Sequence, residues 1–212
     1  MAAKDSIAVL TGDLVNSGTL GPERIARAFR ALEACAEMQA GWTGAPLHFT
    51  RHRGDGWQVV LTNPQTALRS ALAFRAALRA EGEEFDSYVA IAEGPAPDRL
   101  LPDLNAHTED VFVRSGQGLD DLKKTRSPLR MAHETPGPVD AAVILADRLS
   151  QGWTEPQAQA ILPMLDPDFT GTQNDIARRL GKSRQAVAKA LQAAGWDVLD
   201  LALAALEKGP RQ

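Results

Sequence analysis

Residues 47–61 read LHFTRHRGDGWQVVL. Two β-prone runs, Leu47 to His52 and Trp57 to Leu61, flank Arg53-Gly54-Asp55-Gly56. A Gly-Asp-Gly core between such runs predicts a hairpin. Working outward, Ser6 to Gly12 (SIAVLTG) is a short apolar run ending in glycine, the pattern of a buried strand. Between it and the hairpin, Pro22 suits a first helical position. Ile25, Phe29, Leu32 and Ala36 then recur at helical spacing, with Gly41 as the expected stop. After the hairpin, Asn63-Pro64 opens a second helical pattern: Ala67, Ala71, Phe74 and Leu78 on one stripe, Leu68 and Leu72 beside it. Ser87 to Ala92 (SYVAIA) follows as a strand, closed by Glu93-Gly94-Pro95. The order β-α-β-β-α-β predicts an α+β domain of the ferredoxin-like split βαβ type, with both crossover helices on one face of an antiparallel sheet.

Between Pro95 and Pro138 punctuation dominates. Pro95, Pro97 and Pro102 mark a loop, Asp110 to Arg114 reads as a further strand, and Gly118 to Lys124 as the start of a helix. Thr135-Pro136-Gly137-Pro138 is the expected boundary, dividing the chain into 1–137 and an all-α unit, 138–212. Val139 to Ser150 is expected as a linker helix. Thr154-Glu155-Pro156-Gln157 has the capping-box form, and Pro163 is placed to end or kink the helix it begins.

The all-α unit contains TQNDIARRLGKSRQAVAKALQAAG, residues 172–195. Thr172 is a natural N-cap, and Ile176, Ala177 and Leu180 form an apolar stripe. Gly181 can make a left-handed corner. Ser183 caps a second helix whose Ala186, Val187, Ala190 and Leu191 are expected inward. Two short helices, a glycine corner and a serine cap describe a helix-turn-helix. Its second helix would present Arg184, Gln185, Lys189 and Gln192, of which Arg and Gln can read base edges in bidentate fashion. Arg178, Arg179 and Lys182 suit phosphates, and Gln173 and Ser183 complete the candidate DNA-binding set. An αα-hairpin used only for packing is the competing reading.

Charge distribution agrees with a polyanion at this end. From Thr172 to Gln212 there are seven Lys/Arg against four Asp/Glu, whereas the preceding part has 16 against 23. Over all 212 residues, 44% hydrophobic and 24% charged composition excludes wholesale disorder, and no apolar run is long enough for a transmembrane helix. The N-terminus lacks a secretory pattern, and a single cysteine, Cys35, excludes an intrachain disulfide or a Cys-x-x-Cys site. A cytoplasmic location is expected.

Two acids stand out in the first part. Asp13 follows the first strand in Thr-Gly-Asp-Leu-Val-Asn-Ser, and Asp55 sits at the hairpin tip. In a split βαβ sheet those two places meet. Paired carboxylates bind a hard divalent ion such as Mg²⁺ or Mn²⁺, with nucleotide phosphates completing the shell. Asp13 as a turn cap and Asp55 as a turn residue are the alternatives.

TGDLVNSG and RGDGWQVVL resemble the metal-binding segments of class III nucleotidyl cyclases, and YVAIAEG, Tyr88 to Gly94, is similar to the strand after their second helix. That resemblance implies a palm-like domain with Asp13 and Asp55 as metal ligands. Over the whole chain, TGDLVNS, SGQGLDDL at Ser115 to Leu122 and the Trp-Thr-x-x-Gln of Trp153 to Gln157 resemble the SatD family. This second resemblance implies a cyclase-like domain joined to a DNA-binding tail. A working cyclase also needs an asparagine and an arginine on a later helix. GQGLDDLKK carries acids there, and Asn105, Arg114 and Arg126 have no motif support.

The expected function is therefore a DNA-binding regulator whose first domain senses a ligand, a nucleotide with Mg²⁺ or Mn²⁺ being the candidate. A nucleotide-processing enzyme with a localising or dimerising tail is the alternative. The chain is expected to form a homodimer through the last helix, where Val198, Leu201, Ala202, Ala205 and Leu206 share a face. His48, His52, His107 and His133 lack metal-ligand spacing and read as structural or surface residues. Cys35 reads as an inert core thiol, and Trp153 and Trp196 as core of the tail. Arg51 and Arg53 can meet phosphates or simply edge the hairpin.

Overall fold

The computed structural model describes residues 5–52, 54–124 and 128–208, so Arg53 and Arg126 lie outside the described residues. It is a mixed α+β protein. Strand β1 (Ser6–Leu14) leads to α1 (Ser17–Thr43), the hairpin β2 (His48–Arg51) and β3 (Gly56–Leu61), α2 (Ala67–Arg79) and β4 (Ser87–Pro95). The sheet has five strands in the order β2-β3-β1-β4-β5, where β5 is Met131–His133. Neighbours pair antiparallel except β4 and β5, which run parallel.

Side-chain alternation along β1 gives the sheet two different faces. Ala8, Leu10 and Leu14 join Phe29 and Leu32 of α1 and Ala71 and Phe74 of α2 in the main core. Ile7 and Val9 turn the other way, onto Val111 and Phe112 of α3 (Asp110–Lys124). Asp110 to Arg114, expected as a strand, is thus the first turn of a helix. Val111, Phe112, Ser115, Leu119 and Leu122 are its buried residues at helical spacing, with Asp110 at the positive end and Lys123 and Lys124 at the negative end. The run Val-Phe-Val imitates a strand locally, but burial along one stripe decides the outcome. Strand β5, only three residues long, carries no readable period.

Helix α1 breaks at Gly21, so Pro22 begins its regular part, and it ends at a left-handed Gly44 rather than at Gly41. Helix α2 is buried along its whole length, not on one stripe alone. Its second side is covered by α4 (Pro138–Ser150), by α5 (Glu155–Ile161) with the following 3₁₀ turn Leu162–Leu165, and by α8 (Trp196–Glu207). Pro163 sits in that turn, where α5 ends. The expected linker helix α4 is therefore core: Val143, Ala146, Asp147 and Ser150 are buried.

Buried charges on this side are paired. Arg75 Nε donates to Asp86 at 3.0 Å and its Nη1 to Asp147 at 2.6 Å. Arg79 and Arg130 reach the other Asp86 oxygen at 3.1 and 2.5 Å. Arg69 donates twice to Glu207 of α8, at 2.5 and 2.8 Å. Helices α6 (Gln173–Leu180) and α7 (Arg184–Ala193) precede α8, with Ile176, Ala177, Val187 and Leu191 in the same continuous core as the sheet. Trp153 is buried and its Nε1 donates to Ala194 O at 3.0 Å, while Trp196 packs half-buried against the core. No helix among the described residues is long and apolar enough to cross a membrane.

Candidate functional site

Asp13 and Asp55 come together because β1 pairs with β3 in a register that sets Asp13 opposite Gly56. Leu14 N donates to Asp55 O at 3.1 Å, which fixes the hairpin tip over the end of β1. Behind Asp13, Trp57 Nε1 donates to Ser87 Oγ, whose hydroxyl donates to Asp13 O, both at 3.0 Å. Gly12 has to be glycine here, since a Cβ would run into the Trp57 indole. On the side-chain face, Lys123 Nζ donates to Asp13 Oδ2, and Ser17 Oγ donates to Asp55 Oδ2.

Burial pushes the Asp13 carboxyl above the ordinary range, and the Asp55 charge adds to that, against the opposing Lys123 ammonium. Asp55 moves down despite burial, because the Ser17 hydroxyl and the Asp13 carboxyl both donate to its charged form. Of the two, Asp55 is the stronger acid and Asp13 the more readily protonated. Lys123, which lies 110 residues beyond Asp13 at the end of α3, partly compensates the two carboxylates. Two carboxylates and a hydroxyl are the oxygen donors a hard divalent ion takes. Of these oxygens, Asp13 Oδ2 is occupied by the Lys123 ammonium and Asp55 Oδ2 by the Ser17 hydroxyl. No group of three or more potential His, Cys, Asp or Glu metal ligands occurs among the described residues.

The other candidates nearby have separate duties. Arg114 donates to Asp110 at 2.6 Å, to Glu134, and to Glu93 O at 2.8 Å. Asn105 lies in a 3₁₀ turn capped by Asp103. Arg51 covers the Phe29 ring with its guanidinium 3.7 Å from the centroid. His107 stacks on Phe112 and accepts from Leu101 N at 3.0 Å. Cys35 is buried, which pushes its thiol up to about 12.

At the other end, α6 and α7 meet through Gly181-Lys182-Ser183. Thr172 N donates to Asp175 Oδ2 at 2.8 Å, closing the start of α6. Gly181 is left-handed, φ 63° and ψ 31°, which allows the corner, and Ser183 Oγ accepts from Ala186 N at 3.1 Å. Val187 and Leu191 turn inward and Ala190 is half-buried, but Ala186, expected inward, is exposed. Arg178, Arg179, Lys182, Ser183, Arg184, Gln185, Lys189 and Gln192 are all exposed, and Gln173 is half-buried. Arg178 pairs with Asp175 at 3.4 Å. Arg179, Lys182, Arg184 and Lys189 have no ion-pair partner among the described residues. The first turn of α7 contains no acid, so its positive end stands beside Lys182 and Arg184 uncancelled.

No family model matches the chain, and no curated protein matches it.

Proposed function

We propose that the protein is a DNA-binding regulator of the SatD kind, with α6 and α7 as a helix-turn-helix and the sheet end at Asp13 and Asp55 as its ligand-sensing site. The observation that carries this reading is the surface of α7. Around a capped, acid-free helix start, Lys182, Arg184, Gln185 and Lys189 are exposed, and the three cations have no ion-pair partner among the described residues. A packing-only hairpin has no use for unpaired cations gathered at a positive helix end, whereas a phosphate backbone does. Arg184 and Gln185 take the base-reading positions; Arg178, Arg179 and Lys182 hold phosphates.

The connection β1-α1-β2-β3-α2-β4 with spatial order β2-β3-β1-β4 supports the ferredoxin-like split βαβ reading of the first part. Within it, Asp13 and Asp55 would take Mg²⁺ or Mn²⁺ with a nucleotide, the ion neutralising the phosphates, while Lys123 turns from Asp13 toward them. With Arg114 committed to Asp110 and Glu134, the described residues offer sensing more support than turnover.

A single reading helix covers one half-site, so a dimer is part of the proposal. Helix α8 buries Leu199 and Leu203 and leaves Val198 and Leu201, of the stripe expected at the dimer, each 62% exposed. Leu145 of α4 is 73% exposed. These apolar side chains are assigned to the partner copy.

Selection of bound duplexes from a random library by the intact chain tests the reading. Recovery of a two-fold symmetric sequence is the expected result. Absence of enrichment over repeated rounds, with no retention of any duplex at low salt, would overturn it.

A further inference from the structure

A cavity of about 130 Å³ lies where the sheet, α4 and the end of α8 meet, and shares no lining residue with the two sites described above. Its walls are mostly apolar, Leu68 of α2, Ile91 of β4, Val139 and Val143 of α4, with Leu206 of α8 beside them and the exposed Gln65 also lining it. One end is polar, formed by Glu93 and His133. The only described hydrogen-bond partner of the Glu93 carboxylate is the His133 ring, Nε2 to Oε1 at 3.4 Å, a long contact. The Arg114 guanidinium donates to Glu134, Asp110 and the Glu93 main-chain oxygen. Asp140 is tied to the His133 main-chain N–H at 3.3 Å. Among the described residues, Glu93, Glu134 and Asp140 stand at this end against the Arg114 guanidinium and the His133 ring. Consistent with that surplus, His133 is held above its ordinary range by Glu93 and Glu134, although burial alone would lower it.

We propose that this cavity binds a small organic amine, its protonated nitrogen against Glu93 and its branched or cyclic hydrocarbon body, about six carbons, between Leu68, Ile91, Val139 and Val143. The size follows from the volume, close to the roughly 150 Å³ of a dry apolar cavity that holds benzene. The charge follows from Glu93. A carboxylate ligand would meet Glu93 and Glu134 unfavourably, and a neutral alcohol would leave the ionic contact unmade. Because Val139, Val143 and Leu206 come from the helical part and Ile91, Glu93 and His133 from the sheet, such a ligand joins the two. Its regulatory meaning rests on the sensor reading above, but its binding does not.

The test is calorimetric titration of the full chain at neutral pH with cyclohexylamine, and in parallel with cyclohexanol and cyclohexanecarboxylate, with amide shifts recorded by NMR. Saturable binding of the amine is expected, with shifts centred on Ile91, Glu93, His133 and Val143 and with the carboxylate silent. Glu93→Gln should weaken the amine by about tenfold or more. Val139→Phe, at the exposed rim and so harmless to folding, should close the cavity and abolish binding. No saturable amine binding, equal binding of the carboxylate, shifts centred elsewhere, or unchanged affinity in folded Glu93→Gln would each overturn the proposal. None of these results depends on DNA, so this inference and the DNA-binding reading fail separately.

Discussion

Asp13, Asp55 and Lys123 show how a single contact changes what a residue pair should do. With Lys123 donating to Asp13, the pair is already partly neutralised. Mg²⁺ or Mn²⁺ must compete with an ammonium that is itself half in solvent. The expected outcome is a small metal-induced rise in melting temperature for the wild type, a larger one for Lys123→Met, and none for Asp13→Asn or Asp55→Asn. Scanning calorimetry with and without metal checks this; an unaltered metal response in both Asn variants would reduce Asp13 and Asp55 to turn residues. Both acids were legible in the sequence because turn chemistry places them. Lys123 was not, since nothing local ties residue 123 to residue 13, and the helix carrying it begins in a strand-like run.

At the same scale, Asp86 predicts the acid limb of stability. Burial opposes its charge, yet Arg75, Arg79 and Arg130 hold it below the ordinary carboxylate range. A depressed folded value means that this contribution is complete above the unfolded value and lost as pH falls through the folded one. Urea unfolding should show stability falling below about pH 4. Asp86→Asn should flatten that fall and cost about 3–5 kcal/mol at neutral pH, because three guanidinium groups lose their carboxylate. A fall of equal steepness in the variant would assign the acid limb to other groups.

Among the elements, those with a strong period or a distinct cap were readable: the hairpin, α1, α2, α6 and α7 fall close to their expected places. Misreadings came from competition between local and tertiary preference. Val111-Phe112-Val113 is β-prone locally, but one face of the sheet needed a helix over Ile7 and Val9. On α8 both Val198-Leu201 and Leu199-Leu203 are helical stripes; the fold turns the second inward and leaves the first at the surface, as a dimer face requires. The corner between α6 and α7 yields an element-level prediction. Ser183→Ala should cost about 1 kcal/mol through the lost cap, and Gly181→Ala about 1–2 kcal/mol through the left-handed backbone. Thermal unfolding measures both, and a neutral Gly181→Ala would contradict the corner as described.

For the whole molecule, the expected boundary near Pro138 coincides with continuous packing. Arg75 joins α2 to Asp147 of α4, Arg69 joins α2 to Glu207 of α8, and a single core runs from β1 to α8. Sequence could not reveal this because the three arginines of α2 look like an ordinary solvated face. The exposed Leu145, Val198 and Leu201 then carry the assembly prediction. Val198→Ser with Leu201→Ser should convert a dimer to a monomer in light scattering while leaving the monomer folded, since neither side chain contributes to the core. A wild type that scatters as a monomer at micromolar concentration, with and without DNA, would remove the assembly claim.

If α7 reads DNA, two variants will respond differently to salt. Against the selected duplex, Arg184→Ala should lose about 1–3 kcal/mol and discriminate less between sequences, with its salt slope little changed. Lys182→Ala should weaken selected and unrelated duplexes alike and flatten the dependence of log affinity on log salt by about one. Binding by the wild type that does not vary with salt, or two variants that bind every duplex as the wild type does, would contradict the account.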